Sequence, residues 1–316
     1  MINRFFVVAC AIMLGACICT QAACANKGPQ LGKPAQGPVL DKSGDSQLQL
    51  MLKEVAPKFA QHEFAVDQIK IKYNLFTPEK MEAGKKYPLV LFIADASTPG
   101  ENVKTPLEQG YGGLVFATQQ AQKANPCYVL VPQFSGVAVN DAYEHTKEAD
   151  AILHLLNDLA KNNPIDSKRL YVTGQSMGGM LAMYYNIAYP EIFAASLYVD
   201  CHWDQSKLGQ LVKHPFIFIG AGEETRSGKT RVAIEDAARK NDVSYAWAEW
   251  SARLPLDTQD DLAANLLGKG QPINLITFEP GTVLPENVTG SEHMYSFDCA
   301  YRLAPVRTWL FKHAIK

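Results

Sequence analysis

Residues 169–185 read RLYVTGQSMGGMLAMYY, and this stretch decides the fold. Its first part, residues 170–172, is apolar and β-prone, which predicts a strand. A glycine-rich turn that contains Ser176 follows, and residues 180–183 then favour a helix. The stretch therefore predicts a strand, a sharp turn that presents a serine, and a helix in direct succession.

The turn has the G-x-S-x-G spacing of a nucleophile elbow, with Gly174 and Gly178 two residues on either side of Ser176. Side chains at the glycine positions would clash in a turn this sharp. The strand pattern before it and the helix pattern after it favour the elbow over the alternative, a serine in an ordinary loop. Ser176 is therefore the predicted nucleophile.

The rest of the chain alternates between strand and helix patterns. Continuous apolar runs at 88–93, 128–132 and 215–219 are typical of buried parallel strands. Alternation of this kind predicts an α/β fold in which a mostly parallel central sheet is covered by helices on both faces. We also expect a half-buried strand at residues 63–76, a glycine-rich turn at 109–113 and a closing helix at 302–314.

Length and charge limit the classes of function. A chain of 316 residues suits one large domain or two small ones, and a formal net charge of -2 with no long basic run argues against nucleic acid as a partner. The run 228–230, Gly-Lys-Thr, is similar to the end of a phosphate loop, but Gly222 lies one residue too far away, so no nucleotide is expected. No His/Cys group has metal-ligand spacing, and we predict neither a metal nor a cofactor.

The N-terminal residues 1–25 have the pattern of an export signal, with a short positive start and an apolar run too short for a typical membrane span. Cleavage after Ala25 would give a soluble protein. The alternative is a bacterial lipobox, which would end the signal at residue 16 and leave a lipid anchor on Cys17. Residues 26–45 are predicted to be a flexible tether and 46–316 the folded domain. We expect a secreted, periplasmic or lipid-anchored envelope protein.

A serine nucleophile needs a base and an acid, which follow it along the chain in this kind of fold. His293 lies between the last predicted strand and the closing helix and is the predicted base, with His202 in reserve. The acid should follow the strand 215–219, where Glu223 and Glu224 both stand. The minor candidates are Asp204 and Asp200.

The tetrahedral intermediate also needs two backbone N–H groups aimed at its oxyanion. One should come from Met177, directly after the nucleophile, and the other from Ala96 or Asp95, in the loop after the first buried strand. Trp203 and Gln175 are the candidate substrate-binding residues, although Trp203 could equally be a core residue.

Three segments carry a resemblance to a known family. Residues 88–93, 169–179 and 292–297 resemble the exported α/β-hydrolases described as predicted peptidases and esterases, which are similar to polyhydroxybutyrate depolymerases and feruloyl esterases. The resemblance covers roughly residues 64–316 and implies a serine hydrolase without a cofactor, with Ser176, Glu224 and His293 as its triad.

The chain departs from these relatives at two positions. Many relatives have His-Gly-x-Gly where this chain has Ala-Asp-Ala-Ser at 94–97, and the acid position carries Glu-Glu instead of a lone Asp.

A disulfide between Cys201 and Cys299 is one expectation for an exported protein, and free buried thiols are the other.

The sequence as a whole predicts an enzyme that cleaves carboxylic esters, small or polymeric, through an acyl-enzyme. The alternatives are a serine peptidase of the same fold and a non-catalytic binding protein on a hydrolase scaffold.

Overall fold

The computed structural model describes residues 30–34, 40–286 and 288–316. The predicted signal peptide and its lipobox residue Cys17 lie outside the described residues, so the division between signal, tether and domain stays a prediction. The described strands are β1 (Ala60–Val66), β2 (Ile69–Phe76), β3 (Tyr87–Ile93), β4 (Tyr128–Gln133), β5 (Ile165–Gln175), β6 (Ala195–Val199), β7 (Phe216–Ala221), β8 (Tyr245–Trp250) and β9 (Ile273–Phe278).

These strands form one nine-stranded sheet in the order β1-β2-β4-β3-β5-β6-β7-β9-β8. The pairs β1–β2 and β2–β4 are antiparallel, and all other neighbouring pairs are parallel. The strand β5, which carries the elbow, lies between β3 and β6 in the middle of the sheet. The carboxyl ends of the parallel strands therefore meet at one edge, where ligands gather in open α/β sheets.

Helices cover both faces of the sheet. The α-helices are α1 (Ser46–Glu54), α2 (Thr105–Glu108), α3 (Tyr111–Val115), α4 (Gln119–Ala124), α5 (Lys147–Asn162), α6 (Met177–Ala188), α7 (Leu208–Leu211), α8 (Thr225–Lys240), α9 (Leu256–Leu267), α10 (His293–Arg302) and α11 (Ala304–Leu310). One apolar core lies between the sheet and α5 to α8, and a second between the sheet and α1, α3, α9, α10 and α11. The predicted mostly parallel α/β sheet with helices on both faces is confirmed.

The segment 63–76 is not the single strand that its alternation predicted. It belongs to a hairpin of β1 and β2, whose turn residues Asp67 and Gln68 have φ of 47° and 66°. Positive φ at both central residues is the geometry of a type I′ turn, which matches the twist of the flanking strands. The apolar positions change from even numbers before the turn to odd numbers after it, which is the sequence signal of the turn.

Two further expectations were wrong at the level of local structure. Most of the glycine-rich run 109–113 is not a turn but forms the buried helix α3. His293 does not lie in the loop but is the first residue of α10, and the predicted closing helix 302–314 is observed as the shorter α11, Ala304–Leu310.

The cysteines of the described residues, Cys127, Cys201 and Cys299, are all free. The sulfur of Cys201 packs beside Gly179, whereas Cys299 lines a cavity of about 730 Å³ next to Tyr111. The Cys201–Cys299 disulfide is therefore not formed in this structure. Among the described helices, none combines the length and the apolar character that crossing a membrane requires.

Candidate active site

Ser176 occupies the strained turn between β5 and α6. Its φ of 51° and ψ of -119° lie outside the regions that most residues adopt. A Cβ on Gly174 would lie 2.3 Å from the carbonyl carbon of Gly178, and a Cβ on Gly178 would lie 2.0 Å from the carbonyl oxygen of Ile93. Both positions require glycine, as the G-x-S-x-G spacing predicted, and the turn lifts the serine hydroxyl above the carboxyl end of the sheet.

The structure brings the predicted base to the predicted nucleophile. His293 Nε2 lies 2.8 Å from Ser176 Oγ, although the two residues are 117 positions apart in the chain. Phe297, one helical turn later in α10, packs edge-on against the imidazole with ring centroids 5.2 Å apart. The distance is within the range over which a histidine can take a proton from a serine hydroxyl.

The carboxylate beside His293 belongs to Asp200, directly after β6. Asp200 Oδ1 lies 3.8 Å from His293 Nδ1, and in the described part of the chain neither atom has a hydrogen-bond partner. The other carboxylate oxygen accepts a hydrogen bond from Ser296 Oγ. Asp200 is fully buried and has a φ of 44°, a conformation that aims its side chain across the end of the sheet. In resting structures such catalytic contacts are often long and tighten when substrate binds.

Glu224, the predicted acid, does not reach His293. It is the N-cap of α8, where its carboxylate accepts the backbone N–H of Arg226 and forms an ion pair with the side chain of the same residue. Its neighbour Glu223 donates its backbone N–H to Glu292, and its carboxylate forms no ion pair with His293 in the described part of the chain. The geometry thus places Asp200, a minor candidate from sequence, where Glu224 had been expected.

Glu292 is a buried residue that the sequence reasoning did not single out. Its two carboxylate oxygens accept the backbone N–H groups of Glu223 at 2.8 Å and Gly281 at 2.6 Å. Burial raises the pKa of Glu292, while these two hydrogen bonds act in the opposite direction. Because Glu292 directly precedes His293, it ties the start of α10 to the loops after β7 and β9. Its position beside a candidate base was the available sequence signal.

The predicted oxyanion donors lie on two segments that touch. Met177 is the first residue of α6, so its N–H has no acceptor within the helix. The close contact of Gly178 with the carbonyl groups of Ile93 and Ala94 holds this helix start against the loop that contains Ala96. In the described part of that loop, the N–H of Asp95 already donates to Gln109 Oε1, while that of Ala96 donates to no loop carbonyl or side chain. The structure therefore favours Ala96 over Asp95 as the second donor.

The two predicted substrate-binding residues are buried. Gln175 donates hydrogen bonds to Gln109 and Asp95 beneath the elbow, and Trp203 packs against Tyr143 with ring centroids 5.1 Å apart. Neither presents an open face to a substrate in this structure. Next to Trp203, Tyr143 and His202 are partly exposed, and their rings meet edge-on.

Charges surround His202 as well. Its Nε2 lies 3.4 Å from a carboxylate oxygen of Asp141, which also pairs with Arg226. Burial, followed by the positive charge of Arg226, lowers the pKa of His202, and His293 lies near enough to lower it further. A histidine in this environment is neutral at pH 7, so one ring nitrogen can donate and the other can accept a hydrogen bond at the rim of the site. Among the described residues, no group of three or more His, Cys, Asp or Glu side chains could hold a metal ion.

The strand order and the elbow at the end of β5 define the chain as an α/β-hydrolase. A sequence model of the Esterase family matches residues 68–246, more than half of the chain, and the chain belongs to that family. The prediction of an enzyme of the serine-hydrolase class is confirmed by this family membership. No curated protein matches the sequence.

Solved structures share the fold at low identity. A thermostable esterase is 21% identical, with a TM-score of 0.67, and the match covers 82% of this chain and 64% of that one. A ferulic acid esterase is 14% identical, with a TM-score of 0.54, and the match covers 80% of this chain and 98% of that one. The CE1 ferulic acid esterase of Anaeromyces mucronatus is 10% identical, with a TM-score of 0.50, over 80% of this chain and 91% of that one. The chain thus spans about two thirds of the thermostable esterase.

Proposed function

We propose that this protein hydrolyses carboxylic esters through an acyl-enzyme on Ser176, with His293 as general base and Asp200 as the residue that orients the imidazole. The observation that carries the proposal is the line of contacts from Ser176 Oγ to His293 Nε2 at 2.8 Å and from His293 Nδ1 to Asp200 Oδ1 at 3.8 Å. Ester hydrolysis in general agrees with membership of the Esterase family.

The reaction follows from these positions. Ser176 Oγ attacks the ester carbonyl carbon while His293 Nε2 takes the hydroxyl proton. The resulting tetrahedral oxyanion collapses, the alkoxide leaves with the proton from the imidazolium, and the acyl group stays on Ser176. A water molecule then repeats the sequence: His293 accepts its proton, and the acid product departs as the serine recovers its hydrogen.

Asp200 acts by fixing the tautomer of His293. A carboxylate facing Nδ1 favours the form in which Nδ1 carries the hydrogen and Nε2 keeps its lone pair for the serine proton. The carboxylate is fully buried with one oxygen held by Ser296, so the remaining oxygen is directed at the imidazole. When His293 becomes charged, the buried negative charge stabilises it more than an exposed one would.

The N–H groups of Met177 and Ala96 are the proposed oxyanion donors. Loss of one such donor in a serine hydrolase lowers kcat by about 10²–10³-fold. A donor from the start of α6 also carries the partial positive charge of a helix N-terminus.

The test is hydrolysis of p-nitrophenyl acyl esters of increasing chain length, feruloyl esters and short peptide anilides by the purified protein. The proposal expects ester turnover that is lost in Ser176→Ala and in His293→Ala. Turnover of peptides with no turnover of esters would replace the proposed substrate class by the peptide alternative. Equal activity of wild type and Ser176→Ala would refute the acyl-enzyme.

We also propose that the enzyme works outside the cytoplasm, either free or through a lipid on Cys17. The support is the sequence pattern of residues 1–25 alone. Mass determination of the mature N-terminus from a bacterial expression host distinguishes the forms: a chain starting at Asn26, a lipidated chain starting at Cys17, or an unprocessed chain, which would contradict export.

A further inference from the structure

A hydrogen-bonded group of four polar residues lies beneath the elbow and the loop after β3. Gln175 Nε2 donates to Gln109 Oε1 at 3.0 Å and makes a longer contact of 3.4 Å to Asp95 Oδ2. Gln109 Nε2 donates to Ser97 Oγ at 2.8 Å, and the N–H of Ser97 donates to Asp95 Oδ1 at 2.6 Å. The N–H of Asp95 closes the ring by donating to Gln109 Oε1 at 3.4 Å. We call these four residues the loop–elbow network.

The carboxylate of Asp95 determines how the side-chain amides of this network are oriented. Asp95 is 1% exposed, and no Lys, Arg or His of the described residues forms an ion pair with it. Since an ionised carboxylate only accepts hydrogen bonds, the amide group of Gln175 must turn its NH₂ toward it. Gln109 must then turn its oxygen toward Gln175 and the Asp95 N–H, and its NH₂ toward Ser97. Hydrogen bonds that link several largely buried side chains in this way restrict the orientations that each can adopt.

The network joins the two segments that would supply the oxyanion donors. Gln175 directly precedes Ser176 and Met177, while Asp95 directly precedes Ala96. Gln109 bonds to both sides. We infer that Asp95 and Gln109 are positioning residues that set the distance between the Met177 and Ala96 N–H groups. They would thereby fix the loop 94–97, which has Ala-Asp-Ala-Ser in place of His-Gly-x-Gly. This inference rests on the proposed ester hydrolysis.

Residues 98–100 of the loop are held by hydrogen bonds that do not involve the loop–elbow network. A variant of the network can therefore shift Ala96 without unfolding the whole loop. Gln133 Nε2 donates to the carbonyl oxygens of Thr98, Gly100 and Phe134 at 3.0, 3.1 and 2.8 Å. The side-chain and backbone donors of Thr98 also hold the carbonyl of Asp95. Loss of the Gln109 amide should therefore leave the loop folded while its Ala96 end shifts relative to the elbow.

The test compares Gln109→Leu and Asp95→Asn with wild type and with a matched control. Asp95→Asn places an NH₂ group where the network needs an acceptor, and Gln109→Leu removes the bridge at nearly constant volume. Gln122→Leu is the control, because Gln122 makes a similar set of amide bonds to Phe116 and Cys127 away from the site. Displacement of a catalytic group by about 1 Å can lower the rate roughly 10²-fold. We expect kcat to fall about 10–100-fold in the two network variants, with KM nearly unchanged.

The diagnostic readout is the inhibition constant of an aryl trifluoromethyl ketone, which forms a tetrahedral oxyanion on the serine. In the network variants it should rise by the same factor as kcat/KM falls, whereas Gln122→Leu should lower the melting temperature and leave both constants unchanged. If Gln109→Leu and Asp95→Asn fold poorly, Ser97→Ala replaces them, because it removes only a hydroxyl. It should lower kcat/KM and raise the inhibition constant together, each by a smaller factor.

Two results would overturn the inference: an unchanged kcat in folded Gln109→Leu and Asp95→Asn, or a fall in kcat with no change in the inhibition constant. These differ from failure of the proposed function, in which the wild type itself hydrolyses no ester and the inference falls with it.

Discussion

Replacing Asp200 by Asn distinguishes the acid that the structure places beside His293 from the acid that the sequence predicted. The substitution keeps the shape of the side chain, so the buried site should still pack, and one oxygen can still accept from Ser296. The atom facing His293 Nδ1 then becomes an NH₂ group, which favours the tautomer with its hydrogen on Nε2. That hydrogen would point at Ser176 Oγ, 2.8 Å away, where a lone pair is needed.

The expected loss is large. The equivalent change in a Ser-His-Asp triad lowers kcat by about 10⁴-fold. Because the Asp200–His293 contact is 3.8 Å in the resting structure, part of the orientation is supplied by other contacts, including the packing of Phe297. We therefore expect a fall in kcat of about 10³–10⁴-fold, or about 4–5.5 kcal/mol of transition-state stabilisation.

The matched variant is Glu224→Gln, which retains an oxygen that can cap α8. It should change kcat by less than about threefold, with a loss of at most about 1 kcal/mol in the free energy of unfolding. The assay is steady-state hydrolysis of p-nitrophenyl acetate, with circular dichroism to confirm that both variants fold. A folded Asp200→Asn that keeps kcat within tenfold, together with a Glu224→Gln that loses it, would refute the assignment.

Three further changes test the parts of the structure that support the site. Gly178→Ala puts a methyl group 2.0 Å from the Ile93 carbonyl oxygen and should cost about 3 kcal/mol or more in urea unfolding, whereas Gly228→Ala, with nothing within 4 Å, should be neutral or stabilising. Glu292→Gln turns an NH₂ toward a backbone N–H and should destabilise the protein by about 1–3 kcal/mol at pH 7; an unchanged unfolding midpoint would contradict this. Burial lowers the pKa of His202, His214 and His313, so the unfolded chain binds protons first as pH falls below about 6.5. The melting temperature should therefore be lower at pH 5.5 than at pH 7.5. This difference should be smaller in His214→Gln, which lacks one of the three histidines.

Local patterns were sufficient to predict the architecture and the sharp turn that carries Ser176. The buried strands differ from the amphipathic α5 in period, and the elbow glycines at 174 and 178 meet backbone atoms that any side chain would strike. The strand and helix periods and the glycine spacing can be read from neighbouring positions, although the contact of Gly178 with Ile93 joins distant parts of the chain. The pairing of Ser176 with His293 was also predictable, because the last parallel strand and the elbow strand end at the same edge of the sheet.

The acid could not be assigned in this way. Strands β6 and β7 both end at that edge and both are followed by carboxylates, so strand order alone leaves Asp200 and Glu224 open. The outcome depends on backbone conformation: the positive φ of Asp200 turns it toward α10, whereas Glu224 caps the next helix. The same holds for Gln175, whose side chain the glycine turn directs inward to Gln109.

Covalent labelling tests most directly whether Ser176 is an activated nucleophile. The purified protein is incubated with a fluorophosphonate, and its intact mass and peptide map are measured before and after. We expect one adduct per chain, located on Ser176, absent from Ser176→Ala and formed far more slowly in Asp200→Asn than in Glu224→Gln. A folded wild type that takes no adduct, or an adduct on another residue that persists in Ser176→Ala, would contradict this expectation.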